Sequence, residues 1–444
     1  MDNGLRNSSD STVEQAATPT LGEALPVWTK IGLISFGGPA GQIALMHREL
    51  VEQRSWISHE RFLHALNFCM LLPGPEAMQL ATYVGWRLNG TLGGLVAGLL
   101  FVLPGAAVVL ALTIAYAWYG QAPVVEAAFL GIKAAVLVIV IDALLKVAKR
   151  ALHGAQAWAI AALAFVAIFF FALPFPIIVG LAALAGYLLA RITPQRSLPE
   201  DTSILKTEPV TLMQTVRTAS ICLAVWIVPL IIVSLLFPQV FTDLSVFFSK
   251  LAIVTFGGAY AVLAYMAQQA VETYGWLSAG EMLDGLGLAE TTPGPLILVT
   301  EFVGFLGAYR QGGEPALAYG LLGAAVTLWA TFAPCFLWIF TGAPYVEQLR
   351  TNPKLAGALR GVTAAVVGVI LNLSLWFALH VIFGTVTATD LGPLRVWIPE
   401  LSSFQWDAAL LTVLAALLIF GARLGILTTL AICAGAGLTA SALL

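Results

Sequence analysis

Four stretches of this chain combine glycine and proline or phenylalanine inside apolar segments: Phe36-Gly37-Gly38-Pro39, Pro73-Gly74-Pro75, Phe256-Gly257-Gly258 and Pro293-Gly294-Pro295. Residues of these types interrupt helices. A helix that restarts leaves backbone N–H groups without partners, and they carry a positive partial charge. Such an end suits an anion. Pro39 and Pro75 stand where a helix would restart, because proline at the first helical position has no N–H to lose. Ser35 and Thr255 precede the Phe-Gly-Gly breaks, and Thr291 and Thr292 precede the second Pro-Gly-Pro, so hydroxyl donors are at hand. Lys30 and Lys250 each lie six residues before a Phe-Gly-Gly, about 9 Å along a helix. Either lysine would add the full charge that dipoles lack, or else extend to the membrane interface. The expected substrate site is therefore Lys30, Ser35 to Pro39, Pro73 to Pro75, Lys250, Thr255 to Gly258, and Thr292 to Pro295.

Carboxylates inside apolar segments are costly and point to function. Glu76 follows the first Pro-Gly-Pro, Glu290 precedes the second, and Glu301 and Asp142 also lie at apparent depth. The counterparts of Glu76 and Glu290 in the other half are Leu296 and Met70, and Asp142 faces Asn372. Carboxylates kept on one side only are what proton coupling needs, although Glu76 also suits capping of its own helix. His47, His59 and His64 read as surface residues, and the segment Arg48 to Arg61 with Trp56 reads as an interfacial helix. Cys69, Cys222, Cys335 and Cys433 are scattered without metal-ligand spacing or pairing, so they read as small apolar residues. No zinc motif, serine–lysine arrangement or P-loop stands in the sequence; no catalytic residue, metal or cofactor is expected.

The elements that position these residues must sit in lipid. The chain has 444 residues, 59% hydrophobic and 10% charged, against about 25% charged in soluble domains. Its net charge of −3 and lack of a basic run give no footprint for nucleic acid. The first Phe-Gly-Gly recurs 220 positions later, and the offset holds for about forty residues: Met46 with Met266, Glu52 with Glu272, Trp56 with Trp276, Ser58 with Ser278. Later segments align at an offset near 230, Pro104 with Pro334 and Gly131 with Gly361. Thirteen apolar segments fall into a polar tail (1–24, expected to be disordered and cytoplasmic), a first membrane repeat (25–191), a linker (192–216), an extra helix (217–237) and a second repeat (238–444). One extra crossing inverts the second unit if each unit crosses an even number of times, and broken segments in corresponding positions mark a carrier's site. The fold class is all-α, polytopic, with two inverted repeats.

Basic residues favour cytoplasmic loops. With thirteen full spans, the loop holding Arg48, Arg54 and Arg61 falls outside and the equivalent loop 269–281, without Lys or Arg, falls inside. Both placements reverse if the Phe-Gly-Gly and Pro-Gly-Pro segments are re-entrant, which predicts four helical hairpins, nine spans and a cytoplasmic N-terminus. Arg310 and Arg395 are then the outside exceptions. Pieces of about 11 residues rise roughly 16 Å, half of a ~30 Å core. A bundle of thirteen spans with kinks at these sites is the alternative.

The stretches Lys30 to Pro39, Leu72 to Pro75 with Gln79 to Ala81 following, and Phe101 to Gly105 resemble the chromate ion transporter family, in the family's order and over nearly the whole chain from about residue 22. The second copy departs at Ala259, Cys335 and Leu296, which favours one asymmetric site over two equal ones. The resemblance implies a two-domain protein of the bacterial inner membrane that exports chromate, driven by the proton gradient. Sulfate, of similar size, shape and charge, is the competing substrate, and a passive anion channel the competing class. The partners expected are the oxyanion and the bilayer; a homodimer is compatible with the sequence. Symport and antiport are both open.

Overall fold

The computed structural model describes residues 19–192, 211–256, 259–345 and 353–443. The tail and linker expected at 1–24 and 192–216 therefore lie largely outside the described residues, as do Gly257 and Gly258. The chain runs α1 (Leu21–Leu33), α2 (Gly38–His47), α3 (His59–Cys69), α4 (Glu76–Tyr119), α5 (Pro123–Ala151), α6 (Ala155–Phe169) and α7 (Phe175–Ile192). The extra helix is α8 (Leu212–Leu236). The second half continues with α9 (Gln239–Val254), α10 (Ala259–Gln268), α11 (Ala279–Thr291), α12 (Val299–Gln311), α13 (Ala316–Gly342), α14 (Pro353–Ile382), α15 (Trp406–Ala416) and α16 (Ile426–Leu443). Six described helices are long and apolar enough to cross a membrane. This is an all-α polytopic membrane protein.

The repeat is visible in local geometry. α2 and α10 both unwind into one π-turn, at Arg48–Glu52 and Gln269–Thr273. Trp56 N–H then bonds Leu50 O at 2.9 Å, and Trp276 N–H bonds Ala270 O at 2.8 Å. Ser58 and Ser278 cap the next helices by accepting from Arg61 N and Glu281 N. The stretch Arg48 to Arg61 is thus a π-turn, a loop and a cap, not the interfacial helix expected; the repeat's own turn geometry prevails over the amphipathic pattern.

Both Pro-Gly-Pro segments double back. Phe68 and Tyr83, on opposite sides of the first, have ring centroids 5.8 Å apart. Across the second, Arg310 pairs with Glu281 at 2.5 Å, so the end of α12 lies beside the start of α11. The 44-residue α4 is two arms that reverse at Asn89 and Gly90, whose dihedrals are non-helical (Gly90 φ 64°). The arms touch closely: a Cβ built on Gly85 would lie 2.5 Å from Gly93 O. Gly312 and Gly313 make the matching reversal between α12 and α13, where a Cβ on Gly323 would lie 2.3 Å from Gly304 O. Small residues let membrane helices approach to this degree.

The two halves also exchange helices. Gly361 of α14 abuts Ala182 O of α7 (2.2 Å to a built Cβ), and Gly131 of α5 abuts Cys433 O of α16 (1.9 Å). α5 corresponds to α14, so each repeat's long helix packs against the other repeat's last one. A feature the apolar-segment reading missed is a two-stranded antiparallel hairpin, β1 (Val386–Leu391) and β2 (Leu394–Pro399), between α14 and α15.

Candidate functional site

The four breaks meet. Gly74 N–H of the first Pro-Gly-Pro donates to Thr255 O, at the second Phe-Gly-Gly, at 2.8 Å. Reciprocally, Gly294 N–H donates to Ser35 O at 2.9 Å. The later proline breaks join the same crossings: a Cβ on Gly105 would lie 2.3 Å from Pro293 O, and Cys335 Sγ lies 3.0 Å from one on Gly74. Positions matched by the repeat thus make matched contacts across it. Pro39 occupies the first turn of α2, as expected, whereas Pro75 and Pro295 are the caps before their helices rather than first helical residues. The N–H groups of Gly74 and Gly294, which the sequence offered to a ligand, are spent on closing the crossings.

Two side chains that sequence reasoning did not single out as ligands complete the crossings. Gln42 Nε2 donates to Gly294 O at 2.6 Å, and Gln79 Nε2 donates to Pro73 O at 2.7 Å. Because a carbonyl accepts only, these bonds fix which end of each amide is nitrogen. Gln42 Oε1, Gln79 Oε1 and Ser35 Oγ are buried without a partner. Thr255 and Thr292 hydroxyls bond carbonyls of their own helices, Leu251 O and Ala289 O. The counterparts of Gln42 and Gln79 in the second half are Val262 and Val299, so the polar side chains belong to one repeat. That asymmetry was the signal available in the sequence.

Charge is placed differently from expectation. Lys30 Nζ sits 2.7 Å from Glu49 Oε1, and Arg54 sits 2.7 Å from Glu49 Oε2. Glu49 is fully buried; burial pushes its carboxyl up, but the hydrogen bonds from Lys30 and Arg54 outweigh that and hold it below the usual carboxylate range. Lys250 is exposed on α9. Glu76 begins α4 half-buried, Glu290 accepts from Tyr260 Oη at 2.9 Å, and Asp142 pairs with Lys146 at 2.5 Å. Glu301 is 1% exposed, and its Oε2 has no partner. A further buried pair went unread: Lys133 of α5 lies 3.2 Å from Asp284 of α11, which also accepts from Tyr116 Oη at 2.7 Å. Among the described residues no His, Cys, Asp or Glu cluster could hold a metal. Beside the first Phe-Gly-Gly, Ile34, Gly41, Ala44, Leu45, Arg48 and Glu52 line an open cleft of ≈ 450 Å³.

Two repeated helical units, joined through broken helices that cross at one hub, define a polytopic membrane protein. The sequence profile described as "Chromate transporter" matches residues 23–187 and 242–438, one match per repeat, and the chain belongs to that family. It is 32% identical over 372 residues to a chromate transport protein of Pseudomonas aeruginosa, covering 82% of each chain. It is 31% identical over 366 residues to a probable chromate transport protein of Synechococcus elongatus, covering 82% of this chain and 86% of the other. The chromate transport protein of Cupriavidus metallidurans is 30% identical over 361 residues, 81% of this chain and 83% of its own. No solved structure matches the chain.

Proposed function

We propose that this protein is a secondary carrier that exports chromate across the bacterial inner membrane, with the two repeats inverted and movement coupled to the proton gradient. The observation that carries the reading is the reciprocal pair of hydrogen bonds, Gly74 to Thr255 and Gly294 to Ser35. Two equal crossings related by the repeat can open one at a time, which is what alternating access around a central site requires. A channel has no use for that exchange. The names of the relatives support chromate as the substrate, and the motif resemblance supports export; a sulfate-like oxyanion is the competitor. Coupling is assigned to Glu76, Glu290, Glu301 and Asp142, of which Glu301 is the most completely buried and has an unpartnered oxygen. Proteoliposomes loaded with chromate or sulfate, under an imposed pH gradient, test the reading. The expected result is concentrative chromate flux that exceeds sulfate flux and collapses with the gradient. Glu76→Gln and Glu290→Gln should each lose accumulation while keeping anion exchange. Flux that only runs downhill would replace the carrier with a channel.

A further inference from the structure

A second cavity lies at the position related by the repeat to the Arg48 cleft. It has a volume of ≈ 20 Å³, and its lining includes Ala264, Gln268, Glu272, Asn372, Trp376 and Arg395. Ala264, Gln268 and Glu272 are the counterparts of Ala44, Arg48 and Glu52 in the open cleft. The cation is exchanged rather than lost. Gln268 stands where the first repeat has Arg48, and β2 swings Arg395 over the site, with Nη1 3.0 Å from Glu272 Oε2 and Nε 3.2 Å from Asp390 Oδ1.

Trp376 also lines this cavity; it is 7% exposed, and its indole N–H has no acceptor in the protein. A buried donor without a partner costs about 1–3 kcal/mol. A donor, unlike an acceptor, is relieved by an anion. Together with the guanidinium and the amides of Gln268 and Asn372, it makes a donor set for an oxyanion, opposed by the Glu272 carboxylate.

We propose that this cavity is a second oxyanion station of the carrier, closed in this structure by the β-hairpin and opened when Arg395 leaves Glu272. The inference rests on the carrier reading. At ≈ 20 Å³ the closed cavity takes about one water, so a tetrahedral oxyanion enters only after the hairpin shifts. Two contacts tie Arg395 to the helices, its ion pair with Glu272 and its N–H bond to Phe170 O at 2.7 Å, whereas Asp390 stands on β1 and moves with the hairpin. The Arg48 cleft is open while its counterpart is shut, so the two repeat-related positions differ in access within one conformation.

The test is chromate flux in proteoliposomes, with half-saturation measured separately from each face. Trp376→Phe keeps an aromatic ring and removes the donor; it should raise the half-saturating chromate concentration roughly tenfold from the hairpin face and leave the other face unchanged. Arg395→Gln should act in the same direction and more strongly, and Arg395→Lys should recover part of the loss. Half-saturation equal to wild type at both faces in Trp376→Phe and Arg395→Gln, or raised equally at both, would overturn the station while leaving the carrier intact. No chromate flux by the wild-type protein would overturn the carrier reading and the station with it.

Discussion

At the scale of single residues, the charges nearest the hub are arranged to cancel. Lys30 was the obvious cation for an anion site, yet its partner Glu49 had no reason to stand out, since it lies in a stretch with the polarity of any cytoplasmic loop. What the one-dimensional pattern could not carry is that α1 and α2 double back and bring residues 30 and 49 together. Arg310 and Arg395, the two basic residues expected outside against the positive-inside pattern, are each matched to a carboxylate, Glu281 and Glu272, which would lower the cost of that placement. Glu49 has a testable energetic role. Glu49→Gln should destabilise the protein by about 1–2 kcal/mol at neutral pH, less than for a fully buried pair because Lys30 is half-exposed. Its carboxyl is depressed in the folded state, so its stabilisation is present above the unfolded value near 4.3 and is lost as pH falls through the folded value. Thermal unfolding in detergent should therefore show wild type and Glu49→Gln converging below about pH 4. A gap that persists there would mean that the loss in Glu49→Gln does not come from the carboxylate's charge.

At the scale of elements, the breaks were legible and their partners were not. Glycine and proline at matched positions announce where helices stop, but the bond from Gly74 to Thr255 joins residues far apart in the chain, and no local pattern encodes it. The reversal inside α4 was itself legible, because the apolar pattern breaks between residues 86 and 90, where Asn89 and Gly90 take non-helical dihedrals. The β-hairpin was hidden by its setting, a polar interval between two strongly apolar segments. The structure also separates two glycines that the sequence treated alike. Gly38 has φ +67° with open space where a Cβ would stand, and Gly74 has φ +121° with Gln79 Nε2 2.8 Å and Cys335 Sγ 3.0 Å from that point. Gly38→Ala therefore carries backbone strain alone, about 1–3 kcal/mol, while Gly74→Ala also pushes apart the crossing. Both proteins should insert, but Gly74→Ala should lose flux at least tenfold further than Gly38→Ala. Equal loss would show that the conformation, not the crossing, is what transport needs.

At the scale of the whole molecule, two independent exchanges tie the repeats together: the crossed tips at the hub, and the crossed packing of α5 on α16 and α14 on α7. The proposed inversion of the repeats about a two-fold axis in the membrane plane would account for both, with the extra helix α8 between them supplying the odd crossing. Positions 52 and 272 are equivalent in the repeat and both lie in the matching π-turns, so the proposed inversion would place them on opposite sides. With the doubled-back Pro-Gly-Pro segments returning to the side they left, that proposal puts Glu52 with Arg48 and Arg54 in the cytoplasm and Glu272 outside. In a background with the four native cysteines replaced, Glu52→Cys should react with an impermeant maleimide only in inside-out vesicles. Glu272→Cys should react only in right-side-out ones, and more slowly, because the β-hairpin covers it. Thirteen uninterrupted spans predict the reverse at both positions. Labelling of both from one face would be the most damaging result, because it would leave the exchanged contacts intact while turning the axis along the membrane normal, and a parallel pair of repeats cannot open its two stations to opposite sides.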